Sequence, residues 1–228
     1  MNQVVTHCDL RPLFGPARDQ RGRSTCVAFA ASDTHAALRG DGTALCCEYA
    51  FFHGQRRAKR PPTQGAHLPT MLEVLAKDGQ PAETAWPYLA MLPTDLATWV
   101  PPTPIGALHG RAGMMSSSAI ESVIAALNAG KPVILLLMLS PAFFQPNPQG
   151  IVDPALGEVP EPARRHAVIA CGHGVVDGKP ALLVRNSWGP RWAISGCGWL
   201  TEAFLKPRLF AAATLLEDID VRAHSIAA

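Results

Sequence analysis

The 228-residue chain has no strong excess of charge of either sign and no long apolar run. Its 20 basic and 18 acidic side chains leave a formal net charge of +2, so electrostatics favour neither a nucleic-acid partner nor a membrane surface. The longest apolar run, Pro132 to Leu139, is far shorter than the ~20 residues that a membrane-spanning helix needs. We therefore predict a globular protein with no nucleic acid and no membrane among its partners.

The N-terminal residues lack the features of a secretory signal. Met1 to Val5 contains no basic region and no apolar core of the kind that signal peptides carry. On this basis we predict a cytoplasmic protein, or one that is exported without a cleaved signal peptide.

The six cysteines lack C-x-x-C spacing and show no pattern of metal ligands. We therefore expect no metal and no cofactor, and we expect reduced thiols, as is usual for cytosolic proteins. Among these cysteines, Cys26 is distinguished by its sequence context.

The stretch from Asp19 to Ala30 changes character at Cys26. It is polar and turn-like through Thr25 and then becomes small and apolar with helical spacing, which predicts a helix that starts at Cys26 and stops at Gly40. The start of a helix favours the thiolate, which is the nucleophilic form of cysteine. Because free cysteines more often simply pack in the core, the assignment depends on suitable partners elsewhere in the chain.

Two later segments supply such partners. His166 begins a strand-like apolar run, and Asn186 follows another one and is itself followed by Ser-Trp-Gly. A fold that brings the ends of these runs together would place two polar side chains suited to acid–base chemistry at one site.

Together these segments resemble the papain family of cysteine peptidases, peptidase family C1. Gln20 stands six residues before Cys26, Val-Ala-Phe follows Cys26, and His-Ala and Asn-Ser-Trp-Gly come later in the family's order. The resemblance covers nearly the whole chain. It implies that Cys26 is the nucleophile, His166 the general acid and base, Asn186 the residue that holds His166, and Gln20 an oxyanion donor.

The resemblance also implies a substrate-binding set. Gly65 and Ala66 stand where the family has a pair of glycines and would offer backbone hydrogen bonds to an extended peptide. Leu68 would wall an apolar pocket, and Trp188 would cover the His166–Asn186 hydrogen bond and contact substrate.

The fold that the resemblance implies is an α+β, papain-like two-lobe fold. It has a helical left lobe, a β-barrel-like right lobe and the active cleft between them. We predict a single peptidase domain over residues 1–228, with a helix-rich lobe at about 19–110 and a strand-rich lobe at about 111–215. The residue pattern agrees, because helical spacing over Ser117 to Ala129 is followed by strand-like runs. These runs are Pro132–Leu139, His166–Cys171, Ala181–Arg185 and Gly198–Leu200.

Two departures from the family pattern carry expectations of their own. Arg23-Ser24-Thr25 replaces the family's Cys-Gly-Ser, so the loop before the nucleophile must be held without a disulfide. Few residues precede Cys26, so we expect a bacterial-type member that is controlled without a proregion.

The function that the sequence predicts is hydrolysis of peptide bonds in a peptide or protein substrate. The same Cys-His-Asn triad can also perform acyl transfer, deamidation or isopeptide cleavage, because an acyl-enzyme does not dictate the group that resolves it. An inactive papain-like binding module is the alternative outside enzymes. Arg164 and Arg165, beside His166, suggest a cationic rim that favours acidic or carboxylate-bearing groups.

Overall fold

The structure is a computed structural model that describes residues 2–221, and its chain divides into two compact units. Of the described residues, the strand unit comprises 2–19 and 115–214, and the helical unit comprises 20–114 and 215–221. Among the described residues, no helix combines the length and the apolar character needed to cross a membrane.

Helices dominate the first half of the chain and strands the second. In chain order the elements are β1 Val4–Asp9, α1 Cys26–Arg39, α2 Cys47–Ala58, α3 Leu68–Lys77, β2 Gly110–Ser116, α4 Ile120–Asn128, β3 Val133–Met138, α5 Pro141–Phe144, β4 Ile151–Val152, β5 Arg165–Val176, β6 Lys179–Arg185, β7 Cys197–Thr201, α6 Glu202–Leu205 and β8 Leu209–Ile219.

The strand unit is built on a sheet with the order β8-β3-β5-β6-β7-β4, and β1 pairs with β5 beside this path. Within the described residues, β2 continues this order beyond β8, β4 lies at the other end, and the sheet is not closed into a barrel. The expected β-barrel-like lobe is therefore wrong in this respect, although the α+β class is confirmed. At its β4 end the sheet stops at a strand of only two residues, both of which pair in parallel with β7.

The strands around His166 are apolar on both faces and form the core of this unit. Leu137 of β3 lies opposite His166 of β5, and the neighbouring residues of both strands are buried. Helix α4 covers the sheet with Ile120, Val123 and Leu127, which share one face because they are three and four residues apart. This packing fixes the backbone that carries His166.

The helical unit is organised around α1, which is buried over most of its length. Small residues near its start, such as Ala28 and Ala31, have no exposed surface, which allows neighbouring elements to approach closely. The helix ends at Gly40, whose φ of 69° is left-handed and suits glycine. Helix α2 is capped by Cys46, whose Sγ accepts a hydrogen bond from the Tyr49 N–H at 3.2 Å.

Candidate active site

His166 and Asn186 come together in the strand unit. His166 is the second residue of β5, and Asn186 directly follows β6, which pairs with β5. The His166 Nε2 and the Asn186 Oδ1 are 2.7 Å apart, and both side chains are buried. Pairing of neighbouring strands thus joins two residues that are 20 positions apart in the sequence.

The direction of this hydrogen bond follows from a second contact. The Ser187 backbone N–H donates to the same Asn186 Oδ1 at 2.8 Å, and an N–H can only donate, so this atom is the amide oxygen. The amide oxygen accepts, and the His166 Nε2 must therefore carry the hydrogen. The Nδ1 atom is left as the nitrogen of His166 that can exchange a proton.

Aromatic side chains cover this pair. The Trp188 ring lies 4.8 Å from the His166 ring, and the Phe143 ring lies 5.7 Å from it, measured between centroids. Trp188 is followed by Gly189, whose φ of 74° is left-handed and whose added Cβ would lie 3.3 Å from the Asp19 side chain. The glycine of Asn-Ser-Trp-Gly is thus required by the turn that places Trp188.

Burial dominates the electrostatics of His166. It lowers the pKa of the imidazole to about 4, and the hydrogen bond to Asn186 opposes this shift but does not cancel it. An imidazolium at neutral pH therefore requires an anion close to it.

Cys26 lies in the helical unit and is the first residue of α1, as predicted from the change in sequence character. Its side chain is partly exposed. The preceding residue, Thr25, is fully buried and bonds the Tyr88 hydroxyl at 2.9 Å through its Oγ1. Backbone N–H groups at the first turn of α1 are unpaired within the helix and favour negative charge at this end.

Gln20 is also buried in the helical unit, close in sequence to the nucleophile loop, residues 20–25. Its Nε2 donates to the Arg23 carbonyl at 2.7 Å, and its own carbonyl accepts from the Tyr88 hydroxyl at 2.7 Å. Tyr88 therefore contacts both ends of this loop, since it also bonds Thr25. Sequence reasoning did not assign Tyr88 a role, because a single tyrosine in a proline-rich stretch carries no local signal of this contact.

Arg23, which replaces the family's half-cystine, anchors the loop by a buried ion pair. Its Nη1 and Nη2 donate to the two carboxylate oxygens of Glu48 on α2, at 2.6 and 2.9 Å. Glu48 also accepts from the Trp99 Nε1 at 2.7 Å and from the Leu89 N–H at 3.0 Å. The Arg23 side chain is only 7% exposed and that of Glu48 is 0% exposed, so this is an interior contact.

The predicted substrate-binding residues of the helical unit differ in exposure. Gly65 and Ala66 are partly exposed, and a Cβ built on Gly65 would meet the Ser24 carbonyl oxygen at an ordinary 3.7 Å. No contact within the described residues therefore requires a glycine at position 65. Leu68, the first residue of α3, is only 1% exposed and could form no more than the floor of a pocket.

Comparison with family models matches residues 59–203, more than half of the chain, to the papain family of cysteine proteases. The matched range includes His166 and Asn186 and begins after Cys26. Chymopapain from Carica papaya is 29% identical over 133 residues, which are 58% of this chain and 36% of chymopapain. Caricain from the same plant is 29% identical over 180 residues, 78% of this chain and 49% of caricain. The chain thus spans about a third to a half of the length of these relatives.

Solved structures show the same fold. Xylellain, a cysteine protease from Xylella fastidiosa, matches with a TM-score of 0.74 at 18% identity, over 93% of this chain and 86% of xylellain. Procathepsin L 3 from Tenebrio molitor matches with a TM-score of 0.69 at 18% identity, over 93% of this chain and 70% of that protein. At these identities the likeness shows that the fold is papain-like.

Proposed function

The chain belongs to the papain family of cysteine proteases, and from this premise we propose that it hydrolyses peptide bonds with Cys26, His166 and Asn186 as its triad. The observation that carries the proposal is the buried hydrogen bond between His166 and Asn186. That bond holds the imidazole in the tautomer that leaves Nδ1 for proton transfer.

The proposed reaction has two steps. The Cys26 thiolate attacks the peptide carbonyl carbon, the C–N bond breaks, and the amine leaves with a proton from the His166 Nδ1. Water then attacks the resulting thioester, gives a proton to the neutral His166 and releases the acid, which leaves the Cys26 thiolate beside a protonated His166. Before the first step, the thiolate is the anion that keeps His166 protonated against the effect of burial.

The oxyanion donors in this proposal are the Cys26 backbone N–H and the Gln20 side-chain amide. A primary amide has two N–H donors, and one of those on Gln20 bonds the Arg23 carbonyl and thereby orients the group. In this proposal the same amide group donates to the oxyanion. Donors of this kind change the rate by roughly 10²–10³-fold.

Substrate binding is proposed for Gly65, Ala66, Leu68 and Trp188. No atom of the described residues requires a glycine at position 65. A glycine at this place therefore fits close approach of a substrate backbone. Leu68 would contribute only the floor of an apolar pocket. Trp188 would contact the group that leaves beside His166.

The test is cleavage of a quenched-fluorescent peptide library by wild type and by Cys26→Ala and His166→Ala. Both variants should lose at least roughly 10³-fold in kcat/KM, since triad members act as a unit. Mass spectrometry of the products distinguishes hydrolysis from acyl transfer, deamidation or isopeptide cleavage.

A matched control lies on the same strand as His166. His173 also lies on β5 with little exposed surface, and its Nε2 lies 2.7 Å from the Asn128 Oδ1, so it has an equivalent partner. His173→Ala should retain activity. Equal losses in His166→Ala and His173→Ala would show that a general effect on the fold, and not catalysis, explains the result.

A further inference from the structure

A row of rings extends from His166 to the surface of the strand unit. The Trp188 ring lies 4.8 Å from the His166 ring, and the Phe144 ring stacks on Trp188 at 5.3 Å with an angle of 22° between planes. Phe143 is fully buried beneath this row, whereas Phe144 is 43% exposed. An exposed aromatic side chain in such a position offers an apolar surface to a ligand.

The row ends in a cationic group. The Arg164 Cζ lies 5.6 Å from the centre of the Phe144 ring, and the Arg164 Nε is 2.6 Å from a carboxylate oxygen of Glu161. The side chains of Arg164 and Glu161 are 57% and 40% exposed. Exposed ion pairs contribute little stability, so this guanidinium can exchange Glu161 for another carboxylate at low cost.

Arg165 lies apart from this row. Its Cζ lies 5.5 Å from the Phe210 ring, and its Nε donates to the Pro162 carbonyl at 3.1 Å. The cationic rim that the sequence suggested thus separates into two arginines with different neighbours, and Arg164 is the one next to the rings that lead to His166.

In the proposed function, the row of rings lies next to the carboxyl side of the scissile bond. In the proposed function, His166 protonates the leaving amine, so the residues on the carboxyl side of the cut depart next to His166 and Trp188. Two residues of extended chain span about 7 Å, which is longer than a single step of 4.8 or 5.3 Å along the row of rings.

Resting on the proposed function, we infer that Trp188, Phe144 and Arg164 select the leaving segment of the substrate. The preferred segment has an apolar or aromatic side chain directly after the cut and a carboxylate within the first two residues. Phe144 contacts the apolar side chain, and Arg164 binds the carboxylate by a charge-assisted hydrogen bond. The carboxylate is either the C-terminus of the substrate, as in release of a dipeptide, or an acidic side chain.

The experiment uses four peptides that are identical up to the cut and continue with two residues, the first of which is Phe. The second residue is Ala with a free carboxylate, Ala with a C-terminal amide, Glu with an amide, or Gln with an amide. Wild type should favour at least one carboxylate-bearing peptide over its neutral partner by about tenfold in kcat/KM. Preference for the free terminus identifies release of a dipeptide, and preference for Glu identifies an acidic side chain.

Two variants test the assignment of Arg164. Arg164→Gln should abolish the preference for carboxylate, whereas Arg165→Gln, the matched control, should retain it. Phe144→Ala should lower kcat/KM for Phe after the cut more than for Gly at the same place. Thermal unfolding of each variant checks that it is folded, and both arginines are exposed.

The outcomes separate this inference from the proposed function. Equal cleavage of all four peptides by wild type, or a preference that persists in Arg164→Gln, would overturn the inference and leave the peptidase assignment in place. Absence of cleavage of any peptide by wild type, in the library as well, would overturn both.

Discussion

At the scale of single residues, the ionisation of His166 is the property on which the proposed chemistry depends. Burial lowers the pKa of His166 to about 4, and Asn186 offsets only part of that shift. In the proposed mechanism, the nucleophile is a thiolate that pairs with a protonated His166. The proposal therefore requires that the Cys26 thiolate raises the pKa of His166. This requirement can be measured directly.

We predict that the pKa of His166, followed by NMR of the imidazole, is about 4 in Cys26→Ala and higher in wild type. The sign follows because a thiolate stabilises the imidazolium, and removing the thiolate removes that stabilisation. His173, whose pKa is lowered mainly by burial, should titrate alike in both proteins. An equally low pKa for His166 in wild type would rule out the ion pair.

Only some residues of the candidate site could be proposed from the sequence alone. Cys26, His166 and Asn186 could be chosen from the sequence because each stands at a boundary between a polar and an apolar stretch and because the motifs resemble a family. Glu48 and Trp99 could not be chosen, because nothing local marks a glutamate in α2 as the buried partner of Arg23. Such partners follow only from packing of elements that are distant in the sequence.

At the scale of elements, the nucleophile loop is tied to α2 by Arg23 and Glu48. A buried ion pair contributes little relative to apolar residues of the same volume, but removal of one partner leaves an uncompensated buried charge. The sequence predicts that this loop is held without a disulfide, and the contact between Arg23 and Glu48 constrains the same loop. The free energy of unfolding should therefore fall most when only one of these two residues is replaced.

We predict that Arg23→Met lowers the free energy of unfolding by about 3–5 kcal/mol, and that Arg23→Met combined with Glu48→Gln loses less than the sum of the single changes. Urea unfolding of the two single variants and the double variant provides the cycle. Arg57→Met is the control, since Arg57 pairs with Asp78 at 2.6 Å but is 32% exposed and should cost much less. Additive losses in the cycle would contradict coupling between Arg23 and Glu48.

The elements themselves were predictable where the local signal is sharp. Helix α1 runs from Cys26 to Arg39 as predicted, because the polar-to-apolar change and Gly40 mark both ends. Helix α2 extends to Ala58 and includes Arg56 and Arg57 in its last turn. Arg56 in that stretch lies over the Phe52 ring at 5.5 Å, and basic residues suit the negative end of a helix.

The main omission is β8, which was not predicted as a strand. Its centre, Ala211 to Ala213, lacks the β-branched residues that favour strands. The strand forms because β3 pairs with it over Val133 to Leu137, so the tertiary context decides. The short elements α5 and β4 were also not among the predicted helices and strands.

At the scale of the whole molecule, a buried histidine outside the candidate site contributes to the response to acid. His35 is fully buried, and its Nδ1 lies 3.1 Å from the Gln80 Oε1. Burial lowers the pKa of His35 to about 4. Below a pH of about 6.5, the unfolded chain binds a proton at this position that the folded chain does not bind.

We therefore predict that the free energy of unfolding falls as the pH is lowered from about 6.5 to 4, with a contribution from His35 of up to about 1.4 kcal/mol per pH unit. Carboxylates such as Asp41, whose pKa is lowered to about 2, contribute below this window. Urea unfolding at several pH values should show a smaller slope in His35→Gln than in wild type. An equal slope in His35→Gln and wild type would contradict the assignment.

The central claim is that Cys26 is the activated nucleophile of a papain-family peptidase. Intact-mass analysis after incubation with an irreversible epoxide inhibitor of papain-like enzymes tests it most directly, with Cys26→Ala and the partly exposed Cys8→Ala as a matched pair. The account predicts a single adduct on wild type and on Cys8→Ala and none on Cys26→Ala. No adduct on wild type, or an adduct that persists in Cys26→Ala, would contradict it.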